Sequence, residues 1–270
     1  RGERGKMAME NIITTAIIRQ FADKLSAGTD LDVAFVGGGP SALIAAAVLA
    51  KKGLKTAIFE KSLAPGGGVW GGGMLFNEIV VQENVLAILE KIGISCQAVP
   101  DVKGYCTVDS VEMASGLIFN AVKAGAKIFN AMSVEDIVFK EGRVNGLVIN
   151  WAPVRKLAMP VDPLTVIAKA VVDATGHSCE IIRIACEKAQ VRIATETGGV
   201  LGEKPMWVQN GEQQTVDSTA EYYPGLFACG MSATNVTGGY RMGPIFGGMI
   251  LSGLKAADLI AKSLASLETR

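Results

Sequence analysis

The chain has 270 residues, nearly half of them apolar, which is enough to bury a substantial core and argues against a disordered chain. Basic and acidic residues balance at 26 each, so there is no basic field for nucleic acid or for an anionic membrane surface, and the expected partners are small molecules. No apolar run reaches the roughly 20 residues of a membrane span, and the first residues lack the charged-then-apolar order of a signal peptide, so a cytoplasmic location is the expectation.

Residues 1–6 are charged and glycine-containing and read as a flexible tail without function. Over residues 7–25 apolar side chains fall at helical spacing (Ile13, Ala16, Ile17, Phe21, Leu25), and Gly28 is placed to end an amphipathic lead-in helix of about residues 8–27. The run Val33-Ala34-Phe35-Val36 reads as a buried strand, followed by Gly37-Gly38-Gly39-Pro40-Ser41-Ala42 and a helix-forming stretch over residues 43–49. In this Gly-x-Gly-x-x-Ala turn Gly37 permits the tight bend, Gly39 lets a pyrophosphate approach the backbone, and Ala42 allows close helix packing. The helix N-terminus then faces the phosphates with free N–H groups. A second strand over residues 55–59 ends at Glu60, the spacing at which an acid accepts hydrogen bonds from an adenosine ribose. Such a glycine turn alone also ends helices and closes hairpins. The order strand, turn, helix, strand, acid is what points to a dinucleotide site.

Residues 65–73 hold six glycines in nine positions and are expected to form a ligand-lining loop rather than a regular element, with Trp70 and the flanking Met74-Leu75-Phe76 ill suited to a solvated linker. Helices are expected over residues 80–92 and 110–124, capped by Gly93 and Gly125. Strands follow at residues 127–129, 134–139 and 144–149, with a turn at Glu141-Gly142. Residues 166–174 return as a buried strand ending in Thr175-Gly176, residues 225–230 supply another short strand, and residues 247–264 a closing helix. The expected architecture is a single domain spanning residues 1–270, a Rossmann-like two-dinucleotide-binding-type α/β fold with a central parallel sheet and an inserted antiparallel β-meander. The five cysteines include no Cys-x-x-Cys pair, so neither a disulfide framework nor a cysteine zinc site is indicated.

Three residues carry candidate chemistry. His177 is the only histidine and directly follows a core strand at the end where open α/β sheets place ligands. Asp162 lies between Val161 and Pro163, with Pro160 two residues before it, on a backbone stiffened by proline. One imidazole and one carboxylate with open positions would suit Fe(II), the remaining ligands coming from substrate, water or a second subunit. Arg241 stands among glycines just before the last helix, where its guanidinium could clamp a carboxylate.

Taken together, Gly-Gly-Gly-Pro-Ser-Ala at 37–42, Glu60-Lys61, the glycine run from 65, Asn150-Trp151, Val-Asp-Pro at 161–163, Thr-Gly-His at 175–177 and Arg-Met-Gly-Pro-Ile-Phe-Gly-Gly-Met from 241 resemble the thiamine thiazole synthase family. The resemblance runs from about residue 11 to the last helix. It implies a cytoplasmic, homo-oligomeric and commonly octameric enzyme of thiamine biosynthesis that needs iron, consumes NAD and glycine, releases nicotinamide and builds an adenylated thiazole carboxylate. Residue by residue it implies nucleotide contacts at Gly37, Gly39, Ser41, Ala42, Glu60, Lys61, Gly68, Val134, Pro160, Val161, Met231, Arg241 and Met242, with Arg241 also at the glycine-carboxylate position. It implies iron ligands at Asp162 and His177 from neighbouring subunits. Pro160 departs from the family's sulfur-donating cysteine, which implies the branch that takes sulfide from solution over many turnovers. A persulfide on Cys179 is a further candidate for sulfur delivery. Two other readings stay open, an FAD-dependent oxidoreductase, against which Met231 stands where an acid would hold the ribityl chain, and a non-catalytic nucleotide-binding or sulfur-carrying oligomer.

Overall fold

The computed structural model describes residues 8–268, and the charged stretch 1–6 read as a tail lies outside them. A lead-in helix α1 (Met9–Ser26) precedes the unit β1 (Asp30–Val36), α2 (Pro40–Lys51) and β2 (Thr56–Glu60). Then come β3 (Glu78–Gln82), α3 (Leu86–Lys91), β4 (Gln97–Ala98), β5 (Tyr105–Asp109) and α4 (Ser110–Lys123). The middle of the chain forms β6 (Lys127–Asn130), β7 (Met132–Lys140), β8 (Arg143–Trp151), α5 (Ala152–Lys156) and β9 (Leu164–Asp173). It closes with α6 (Glu180–Lys188), β10 (Lys204–Met206), α7 (Val208–Asp217), β11 (Ala220–Tyr223), β12 (Leu226–Ala228), α8 (Met231–Thr237), β13 (Tyr240–Arg241) and α9 (Gly247–Glu268).

The main sheet has the order β11-β12-β9-β1-β2-β6, parallel from β12 to β6, with β7 and β8 attached through the antiparallel pairing of β8 to the first half of β9. This is the expected Rossmann-like α/β architecture with its inserted meander. Successive side chains of a strand point to opposite faces. Val33 and Phe35 therefore enter one core with α2, α4 and α9, while Ala34 and Val36 enter the other with β7, β8 and α6. Because β2 lies on one side of β1 and β9 on the other, the ends of β1 and β9 form the switch point at which such sheets hold ligands.

Two readings are corrected. Residues 80–82, the start of the helix expected over 80–92, belong instead to β3, paired antiparallel with β5 so that Ile79 and Val81 are buried opposite Val108 and Cys106, and a 3-10 turn over Glu83–Val85 precedes α3. A short apolar run fits either period, and pairing with β5 decides it. The glycine run is not irregular throughout, since Gly67–Gly71 closes a 3-10 turn around the buried Val69, and Trp70 Nε1 donates to the Pro65 carbonyl at 2.5 Å. Gly93 and Gly125 do follow α3 and α4 with φ of 79° and 104°. Gly28 follows α1 without positive φ, and its missing side chain instead makes room for Phe129, whose ring would stand 2.7 Å from an added Cβ. Within α1 no residue is buried, and Ile12, Ile13, Ile17 and Ile18 are each more than half exposed. No helix among the described residues is long and apolar enough to cross a membrane.

At the end of β9 a wholly buried carboxylate, Asp173, accepts from Thr175 N and Oγ1, Ser232 Oγ, Ile181 N and Ile182 N. It thereby satisfies the first free N–H groups of α6, which has no capping side chain at its own N-cap residue. Asp173→Ala leaves these donors buried and unpaired and should cost about 3 kcal/mol or more. Urea denaturation at fixed protein concentration checks this, and a loss below about 1 kcal/mol would show that the network is dispensable.

Candidate active site

Four loops leave the C-terminal ends of β1, β2, β9 and β12 and meet around one cavity of about 580 Å³, within the range of small-molecule sites. Gly37 follows β1 with φ of 92°, and an added Cβ would stand 2.5 Å from the Ala174 carbonyl oxygen, so only glycine fits. Gly39 has no atom within 4 Å of its added Cβ, so the backbone there faces open space along the cavity wall. Pro40 opens α2 at the position where a missing N–H costs nothing, and the N–H groups of Ser41 and Ala42 have no acceptor inside the helix. The hydroxyl of Ser41 is not part of this cradle, because it donates to the Met249 carbonyl at 2.9 Å and ties α2 to α9.

Glu60 is buried at the end of β2 and accepts from Gly38 N at 2.7 Å and from Ser62 N at 2.7 Å. Each oxygen keeps further acceptor capacity for a hydroxyl pair. The glycine run is pinned to the same turn by Gly66 N donating to Gly38 O, and Gly67, Gly68 and Gly72 line the cavity. Val134, Met231 and Met242 supply buried apolar wall.

Besides the buried Cys229 thiol, the ionisable lining comprises Glu60, Lys61, Arg155, His177, Glu180 and Arg241. Lys61 and Arg155 share one carboxylate, Glu180, at 2.6 and 3.5 Å. Burial pushes the Glu180 carboxyl up, but Lys61 above all, with Ser178 and Arg155, more than offsets this and holds it below its ordinary value. Arg241 has no carboxylate partner among the described residues, so its guanidinium is left available. Three cations against two carboxylates favour an anionic ligand.

His177 lines the cavity on the turn Gly176–Ser178. Pro160, Val161 and Asp162 do not; they lie on an exposed segment before β9, held through Asn150 Nδ2 donating to the Val161 carbonyl at 3.1 Å. No group of three or more His, Cys, Asp and Glu side chains among the described residues could hold a metal. The donor set of one chain thus fits a metal only as one ligand at His177, with the exposed Asp162 free to serve a neighbouring copy. Cys179 is buried outside the cavity lining, and burial, with the Asp173 charge next, pushes its thiol far above the ordinary value. Such a thiol stays protonated and unreactive, which gives no support to a persulfide there.

Sequence reasoning missed Arg155, Asp173, Glu180, Glu203 and Glu212. Asp173 carried a signal, an acid at the end of a buried strand. Glu212, on α7, was silent: it is buried and accepts from Gly248 N at the start of α9 and from Gln82 Nε2 of β3, which ties these three elements together behind the cavity.

A family model described as the Thi4 family matches residues 14–246. The thiamine thiazole synthase of Thermococcus kodakarensis is 50% identical over 93% of this chain and 97% of its own length. That of Methanothermobacter thermautotrophicus is 46% identical over 96% of this chain and 100% of its own. The crystal structure of THI4 from Thermovibrio ammonificans superposes with a TM-score of 0.91 at 45% identity, over 96% of this chain and all of that one. A geranylgeranyl bacteriochlorophyll reductase-like protein from Thermoplasma acidophilum reaches a TM-score of 0.53 at 17% identity, covering 88% and 80% of the two chains, and shares the fold alone.

Burial raises the Glu212 carboxyl above its ordinary value despite the bonds from Gln82 and Gly248, and its Oε1 is buried without a partner. A raised folded-state pKa contributes stability below the ordinary glutamate value of about 4.3, and this is lost as pH rises through the folded value. Glu212→Gln removes that ionisation. Its melting temperature relative to the parent should rise between about pH 4.5 and 7, and a flat or falling difference would refute the assignment.

Proposed function

The chain belongs to the Thi4 family of thiamine thiazole synthases, and on that premise we propose that it joins NAD, glycine and sulfide into an adenylated thiazole carboxylate, releasing nicotinamide, with iron(II) as its metal. The observation that carries this reading is one cavity lined at once by a phosphate-type glycine turn, an acid at the end of β2 and an arginine with no carboxylate partner among the described residues. The backbone of residues 37–42 binds the diphosphate of NAD at the N-terminus of α2. Glu60 takes the adenosine ribose, and Val134 with Met231 and Met242 packs the flat groups. Lys61, already neutralised by Glu180, positions more than it attracts. Arg241 clamps the carboxylate of glycine and so orients its amine within the cavity.

His177 would hold iron(II) together with Asp162 of a neighbouring copy. When bound, iron(II) supplies a Lewis acid and a site for sulfide. Pro160 carries no sulfur, so sulfur must enter from solution and the chain is not consumed by its own reaction. Sharing the site between copies is supported by the exposed segment at 160–162 and by Ile12, Ile13, Ile17 and Ile18 of α1, each more than half exposed. Commonly such an assembly is an octamer.

Anaerobic incubation with NAD, glycine, iron(II) and sulfide should yield more than one adenylated thiazole per chain by mass spectrometry, and none after chelation of the metal. One product or fewer per chain would overturn multiple turnover. Gly39→Ala, with room for its methyl in the protein, should fold normally yet bind NAD at least tenfold more weakly, about 1.4 kcal/mol. Undiminished NAD affinity would displace the diphosphate from this turn.

A further inference from the structure

The ring of His177 is not free to choose its orientation. Its Nδ1 stands 2.5 Å from Oε1 of Glu203, whose side chain is 17% exposed against 55% for the histidine. The backbone that delivers this carboxylate is stitched down on both sides, with Gly202 N donating to the Asn235 carbonyl and Lys204 N to the Gly239 carbonyl, each at 2.9 Å. The same Asn235, itself buried, donates from Nδ2 to the His177 carbonyl at 2.6 Å. Histidine and glutamate are therefore referenced to one residue of α8, although they lie 26 positions apart in the chain.

We propose that Glu203 is a positioning residue for His177: its carboxylate fixes the hydrogen on Nδ1 and leaves the Nε2 lone pair for the cavity. A carboxylate only accepts, so the nitrogen it meets must carry the hydrogen, and in the neutral ring the other nitrogen is then the acceptor. The usefulness of that lone pair rests on the reading of His177 as a metal ligand, since metal-binding imidazoles commonly give their second nitrogen to a carboxylate. The tautomer itself does not.

Because the chain holds a single histidine, labelling histidine alone with 15N yields one imidazole pair, readable in the solid state without assignment. At about pH 9, above the ordinary imidazole value near 6.5, the full-length protein should show Nδ1 protonated and Nε2 bare. Glu203→Ala should move the hydrogen largely to Nε2, and Glu203→Gln, whose amide oxygen can still accept, should restore it to Nδ1. A ring protonated on Nε2 in the parent, or a tautomer unmoved in Glu203→Ala, overturns the proposal. Cobalt(II) titration, followed by visible absorption on the same proteins, separates it from the metal reading. Affinity should fall 10–100-fold in Glu203→Ala and be lost in His177→Ala. Unchanged cobalt affinity in His177→Ala would remove the metal ligand and leave the tautomer result standing. Loss in His177→Ala with none in Glu203→Ala would remove the role of Glu203 in binding.

Discussion

The site depends on one buried charge. Asp173 ends β9 beside Val36, the last residue of β1, and its five accepted hydrogen bonds fix the turn after β9, the start of α6 and the first turn of α8. Ser232 extends this control by accepting from Gly176 N at 2.9 Å, so the residue before His177 is held through the same carboxylate. Ala174 N donates to the Val36 carbonyl, and the Ala174 carbonyl in turn forbids a side chain at Gly37. The nucleotide turn and the histidine turn are thus two sides of one junction between adjacent parallel strands. Neither can move without disturbing the pairing of β1 with β9.

What the sequence revealed divides along the range of the interactions involved. The turn at residues 37–42 and Glu60 were legible because their roles follow from local backbone geometry, with a strand before and a helix after. Glycine at 37 is required by a positive φ and a carbonyl 2.5 Å from its would-be Cβ, conditions that leave a mark on the residue type itself. The strand β3 was misread because Ile79, Val81, Val85 and Leu89 satisfy both periods over so short a stretch, and only pairing with β5 distinguishes them. Arg155, Glu203 and Glu212 were illegible for a different reason. Each acts on a partner 20 or more positions away, and nothing local marks an acid that will cap a distant helix or hold a distant ring.

The exposed apolar residues are as informative as the buried ones. A helix in water gains its stability chiefly by burying one face. Within the chain α1 is fastened mainly at its C-terminal end, through Lys24 Nζ donating to the Ile128 carbonyl and Phe21 against Trp151. Its isoleucines are left outside, and Leu157, Met159, Val161 and Leu164 around Asp162 are exposed in the same way. Both segments expose apolar side chains that nothing within the described residues covers. On the proposed reading, a metal held by His177 of one copy and Asp162 of another would make assembly a condition of chemistry, because no group of three or more His, Cys, Asp and Glu side chains among the described residues could hold it within one chain.

The two basic residues at the ends of the chain's motifs then do different work. Lys61 is paired with Glu180, which also meets Arg155, so the two cations share one carboxylate and the geometry of this corner of the cavity is set by ion pairs within the chain. Arg241 is exposed and has no carboxylate partner among the described residues, so water solvates its charge at little cost. The paired lysine gives shape and the unpaired arginine gives attraction. Gly243, Pro244 and Met242 beside it line the same cavity, and Glu212 anchors the start of α9 that follows. On the proposed reading, Arg241 attracts the small carboxylate while the Lys61–Glu180–Arg155 group shapes the wall beside the nucleotide.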